Sequence, residues 1–173
     1  MKYPDFFNKV ETIILQDKLA LTLGALEDGE VEFCYLDVVK SAGHSCPTVA
    51  GAYLSLLVGL KELYKDGTPQ RGEISVCFKE DSTDGVAGVI SMVVSQITGA
   101  TEHLGFKGLG GGKFARHSLM KFNQDIKSSM QLTRTDTNKT VDILYNPSQI
   151  DGQPFQKRVE NIFANIDKVI TIL

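Results

Sequence analysis

The distribution of apolar residues predicts an α+β fold: a single domain over residues 1–173, with a mixed β-sheet packed against a buried helix. Three observations point there. Residues 47–64 are apolar almost all round, as a helix buried in a core must be. Short period-two runs lie on both sides of that helix, at 31–35 and 72–78. A further set of strand-like runs, over 114–122, 129–135 and 140–145, comes late in the chain and is followed by one closing helix.

In chain order, Val10, Ile13 and Ile14 sit at helical spacing after Pro4-Asp5, which predicts a short amphipathic helix over 6–15. Residues 20–26 are apolar and end in the turn signal Glu27-Asp28-Gly29. Val31, Phe33 and Tyr35 alternate with Glu32 and Cys34, a strand pattern, and 36–40 form a helical turn leading to Ser41-Ala42-Gly43. The helix over 47–64 opens on Pro47, where the missing N–H would be unpaired anyway. Gly51, Ser55 and Gly59 recur at spacing four on one face of it. Two internal glycines lower helix propensity by about 1 kcal/mol each, so a packing or site reason is expected. A strand over 72–78 and a polar loop over 79–85 follow. The apolar run 86–97 is read as helix by its length. After the Gly-rich stretch 105–112 come the late strands, with Asp136-Thr137-Asn138 as a hairpin turn. The closing helix over 156–170 presents Val159, Ile162, Phe163, Ile166 and Ile170 inward.

The chain is long enough to bury a core without metal or disulfide staples. Its net charge of −3 argues against a nucleic-acid binder, which needs a basic surface, and against an anionic-membrane surface. The first residues lack the plan of a signal peptide, and no run is long enough for a membrane span. The three cysteines, Cys34, Cys46 and Cys77, form neither a disulfide framework nor a CxxC pair. A reducing, cytoplasmic setting is expected. Cys34 and Cys77 fall inside strand patterns and read as core.

Gly43-His44-Ser45-Cys46-Pro47 carries the chemistry. An imidazole and a thiol stand two residues apart, in a loop at the head of the buried helix. A cysteine there faces unpaired N–H groups and the positive end of the helix dipole, which favour thiolate, the form that ligates and attacks. His44 can bind the same ion or act as a base toward the thiol. The bland alternative is a small buried cysteine with no chemistry.

This segment, followed by Ala50-Gly51-Ala52-Tyr53, resembles the formylmethanofuran dehydrogenase E-subunit family, whose members open with GHxCPG and run into a Gly/Ala-bearing helix. The likeness extends loosely through residues 74–78, the acidic loop 80–85, Thr98-Gly99-Ala100, and Gly112-Lys113 to Phe122. The resemblance implies an α+β fold, often a homodimer, with a crevice that holds a transition metal, typically zinc. Despite the family name, the biochemical role of many members is poorly defined. The chain departs from the pattern in several places. Thr48 replaces the last Gly, Asp84 stands where a Cys is usual, Ala100 replaces another Cys, and the Cys-rich C-terminal finger is missing. A mixed site is therefore expected, with metal ligands drawn from His44, Cys46, Asp84, His103 and His117.

The segment Gly108-Leu109-Gly110-Gly111-Gly112-Lys113 fails the phosphate-loop pattern, because Lys107 takes the first Gly position and Phe114 follows the Lys. It also fails the dinucleotide spacing. A flexible loop is one reading. The other is an anion subsite of backbone N–H groups with Lys113 and Arg116, serving a small anionic ligand. Three functions follow in order. The first is a zinc-binding accessory protein for a redox-enzyme partner. The second is a metal-dependent enzyme with an open ligand position. The third is a thiol-redox protein using Cys46 with Cys34 or Cys77 as partner.

Overall fold

A computed structural model of the chain describes residues 1–65 and 67–173. Both predicted layers are present: a five-stranded mixed sheet and a set of helices packed against it. The strands are β1 (Ile13–Gln16), β2 (Glu30–Phe33), β3 (Ile74–Phe78), β4 (Met120–Lys121), β5 (Met130–Arg134), β6 (Thr140–Tyr145) and β7 (Ile170–Ile172). The main sheet runs β4-β3-β5-β6-β7, with only the β3–β4 pair parallel; β1 and β2 form a separate antiparallel ribbon. Among the described residues, no helix is long and apolar enough to cross a membrane.

The sheet is built on strict alternation. Ile74, Val76 and Phe78 of β3 lie in register with Arg134, Leu132 and Met130 of β5, and Val141 and Ile143 of β6 continue the inner face. Apart from Arg134, these side chains are buried. Their neighbours Ser75, Cys77, Gln131 and Asp142 point to the half-exposed face. The helices are α1 (Lys18–Thr22), α2 (Tyr35–Ala42), α3 (Pro47–Leu63), α4 (Ala87–Thr98), α5 (Phe155–Phe163) and α6 (Ile166–Val169). Helix α3 lies on β5, β6 and β7, and α2, α4 and α5 pack around its remaining sides. That explains why its sequence is apolar all round: every face has a neighbour.

The small-residue ridge has a definite purpose. A Cβ on Gly51 would run into the ring of Tyr145, and one on Gly59 into Ile143 and Leu132. The glycines let α3 settle directly onto β5 and β6. The hairpin turn at Asp136-Thr137-Asn138 forms as expected, with Asn138 at φ 59°.

Three stretches differ from the sequence reading. The predicted helix over 6–15 is a 3-10 turn, Asp5–Lys9, followed by β1; Ile13 and Leu15 alternate inward, so period two wins over period 3.6 there. The run 114–122 yields only the two-residue β4, because Phe114 and Ser118 sit at positive φ and break the extended path. The closing helix stops at Phe163; after the short α6, the chain turns extended as β7 to cover the edge of β6.

Candidate functional site

The loop 43–46 is held from beneath by an aromatic cluster. Gly43 ends α2 in the left-handed conformation, φ 76°, with its N–H donating to the Val39 carbonyl. Tyr35, fully buried at the start of α2, packs edge-to-face on Phe7, Tyr53 and Phe163 at centroid distances of 4.9, 5.5 and 4.6 Å. Its hydroxyl is 2.8 Å from Ser45 Oγ. Tyr145 reaches up from β6 and donates a 2.6 Å hydrogen bond to the Pro47 carbonyl, across the face left open by Gly51. Two tyrosines thus pin Ser45 and Pro47, the residues on either side of Cys46. Burial drives both phenols well above their ordinary pKa, and Cys46 lies close enough to add to the shift, so both remain neutral hydrogen-bonding groups.

Cys46 is the N-cap of α3, half-buried and in extended backbone, and its side chain does not cap the helix. His44 is exposed. Its Nδ1 lies 3.0 Å from the Ala42 carbonyl, so in the neutral ring Nδ1 carries the proton and Nε2 keeps its lone pair. A backbone carbonyl behind one ring nitrogen is the arrangement that orients a metal-binding imidazole. The ring lines a small hollow of about 80 Å³ with Val38, Val89, Met92, Val93 and Gln96.

The other candidates lie apart. His103 is 84% exposed and stands 3.6 Å from Glu102. His117 is half-exposed with Nδ1 3.0 Å from Ser118 Oγ. Asp84 is exposed, in a turn closed by its own N–H on the Asp81 carbonyl. Among the described residues, no three of His, Cys, Asp and Glu gather in a group fit to hold a metal. His44 and Cys46 are therefore joined by sequence, and the structure brings none of the other three to them.

The proposed anion pair also separates. Lys113 is exposed, its ammonium 4.8 Å from the Phe114 ring centre. Arg116 turns inward. Only 6% of it is exposed, and Nη2 donates to Asp17 Oδ1 at 2.7 Å. Its guanidinium fills the space that a Cβ at Gly72 would take, and it also lies close under Gly99, both at positive φ. Asp17 in turn accepts from Arg71 at 2.9 Å and from the N–H groups of Leu19 and Ala20. Burial alone would raise the Asp17 carboxyl; the bonds from Arg71 and Ala20 and the two guanidinium charges prevail and hold it below the usual range. Arg116 is thus a core residue. A lone Arg in a glycine-bearing segment carries no sign of this, because its partner lies 99 positions earlier.

All three cysteines are free. Cys34 is not in a strand but caps α2: its N–H and thiol both donate to the Asp37 carboxylate, at 3.0 and 3.2 Å. Cys77 is in β3 on the half-exposed face, and burial pushes its thiol up, with Lys121 partly offsetting. The tyrosines beside Cys46 are not legible in the sequence as site residues, since Tyr145 lies 98 positions from the carbonyl it binds.

The chain matches no protein-family model, and comparison with curated proteins and with solved structures gives no match.

Proposed function

We propose that the chain is a metal-binding protein in which His44 and Cys46 hold one divalent transition ion, zinc by default, and that it acts as an accessory to a metal-dependent redox enzyme in the cytoplasm. The observation that carries this reading is the His44 ring, with Nδ1 on the Ala42 carbonyl and Nε2 free, two residues from a thiol that heads a 17-residue buried helix. The residues fit the ion in kind. An imidazole nitrogen oriented by a backbone carbonyl and a cysteine sulfur are both donor types that zinc takes. The resemblance to the formylmethanofuran dehydrogenase E-subunit family adds support, as does the α+β frame that sets the loop at the head of α3. The three free thiols accord with a reducing compartment. Arg116 is bonded to Asp17 in the core and does not join Lys113 in the expected anion subsite.

The test is metal content after dialysis against limiting zinc, on protein carrying no affinity tag. Wild type should retain zinc. Cys46→Ser should lose most of it, since a hydroxyl stays protonated and ligates poorly, and His44→Ala should bind it more weakly. Wild type that takes up none, or a Cys46→Ser variant that binds as well, contradicts the reading and moves thiol chemistry at Cys46 ahead.

A further inference from the structure

Gly51 and Gly59 of the α3 ridge are accounted for by the side chains that press on them. Ser55, midway between, is not. It is 4% exposed, and its hydroxyl makes no hydrogen bond among the described residues. A buried hydroxyl without a partner costs stability unless something outside the chain pairs with it. Ser55 lines a narrow cleft of about 30 Å³ where α3, α4, the end of β3 and the start of β5 meet. That is room for about two water-sized groups. The walls are apolar, with Ala52, Ala87, Ile90 and Met130 beside the aromatic side chains of Phe78 and Tyr145. Glu80, exposed just after β3, stands at the mouth and makes no ion pair among the described residues. Neither His44 nor Cys46 lines this cleft.

The protons already committed around the cleft define what can enter it. Tyr145 gives its phenolic proton to the Pro47 carbonyl, and Ser129 Oγ donates to the Ile143 carbonyl. The Glu80 carboxylate has no proton to give at neutral pH. Three of the four polar side chains at the cleft therefore only accept, and Ser55 can accept as well. An anion or a carbonyl oxygen finds one donor at most. A group rich in N–H finds acceptors throughout, and Glu80 favours one that is positively charged. Aromatic side chains beside it suit a cation too. A hard metal ion needs more oxygens than these apolar walls hold. A primary ammonium meets every condition: three donors, no acceptor and a single atom's width.

We propose that this cleft binds a primary ammonium group carried on a slim alkyl chain. The ammonium enters first and shares its N–H groups between Ser55 Oγ inside and the Glu80 carboxylate at the mouth. The first carbons of the chain lie between Ala52 and Ala87, whose small side chains leave the passage open, and the rest trails into solvent. A free short alkylamine and the tip of a lysine side chain present this same chemistry. The site uses none of the proposed metal donors, so it stands or falls apart from the metal reading.

Titration of the full chain with n-propylammonium at pH 7 and constant ionic strength, followed by amide NMR shifts, tests this. Saturable shifts should appear at Ala52, Ser55 and Met130, with a Kd on the order of 1 mM for so small a ligand. Ser55→Ala should weaken binding about tenfold, and so should Glu80→Gln, whose exposed position leaves the fold untouched. 1-Propanol, with the same chain and no charge, should bind about tenfold more weakly or worse. Nα-acetyl-lysine methylamide separates the two sources: binding as tight as n-propylammonium or tighter assigns the cleft to a lysine side chain, and no binding assigns it to a free amine. No saturable shift with either ammonium probe overturns the site. So does 1-propanol binding as tightly as n-propylammonium, or an affinity that neither variant lowers.

Discussion

Two clusters of polar side chains border the same core, and they are built in opposite ways. In the Asp17–Arg71–Arg116 knot, every carboxylate oxygen is used: Oδ1 accepts from Arg116, Leu19 and Ala20, and Oδ2 from Arg71. Arg71 directs its other donors to the Ile97 and Gln96 carbonyls. In the His44–Cys46 loop, Tyr35 bonds the Ser45 hydroxyl, Tyr145 the Pro47 carbonyl and the Ala42 carbonyl the His44 ring, whereas the imidazole Nε2 and the Cys46 thiol have no hydrogen-bond partner among the described residues. The first cluster ties the head of α1, the approach to β3, the end of α4 and the segment that follows the Gly-rich stretch into one body. The second leaves the His44 ring exposed, while Cys46 is half-buried and packs against the core. The knot is committed internally except at Arg116 Nη1, which is buried without a hydrogen-bond partner among the described residues.

The largest effect should come from removing the knot's only anion. Asp17→Ala leaves two guanidinium groups facing each other without compensation, one of them buried, and should lower the unfolding free energy by about 3–5 kcal/mol in urea titrations. The sign with pH follows from the depressed Asp17 carboxyl. Its contribution is complete above the unfolded value of about 4 and is lost as pH falls through the lower folded value. Asp17→Asn should therefore flatten the acid limb of the stability curve. An unchanged acid limb would show that other carboxylates set it. A smaller effect is expected on the loop side. Gly51→Ala gains about 1 kcal/mol of helix propensity but drives a methyl into the Tyr145 ring, and overpacking of this kind costs about 1–3 kcal/mol. It should destabilise modestly and loosen the Tyr145 bond to Pro47, visible as faster amide exchange at the head of α3. The smallest change is expected at Cys34→Ser. Serine is a favoured N-cap and can keep the bond to Asp37, so stability should hold or rise by up to about 1 kcal/mol. A substantial loss of stability would mean the thiol packs as core.

What can be read from the sequence divides along the same line. The α3 helix, the β3 strand, the β5–β6 hairpin and the loop 43–47 are legible because period, Pro placement and turn residues are local signals. The ridge Gly51, Ser55, Gly59 announces a close approach, though not by which strands. The knot is illegible because Asp17 and Arg116 meet only after folding, and a buried Arg carries the same letter as an exposed one. Cys34 is misread by the width of one residue: the strand ends at Phe33, and the cap of α2 begins while the apolar alternation still continues to Tyr35. Among the described residues, His103, His117 and Asp84 form no group of three with His44 and Cys46, and nothing in their local sequence signals how far apart the fold sets them.

Whether His44 and Cys46 bind the same ion is tested most directly by cobalt(II) titration of the metal-free protein, because thiolate ligation adds a charge-transfer band that imidazole alone does not produce. In wild type, the charge-transfer band and the tetrahedral d–d bands should rise together and saturate at one metal content. Cys46→Ser should abolish the charge-transfer band, and His44→Ala should weaken both transitions without unfolding the chain. A wild type that shows no thiolate band, or a His44→Ala variant with spectrum and affinity unchanged, would contradict a shared ion.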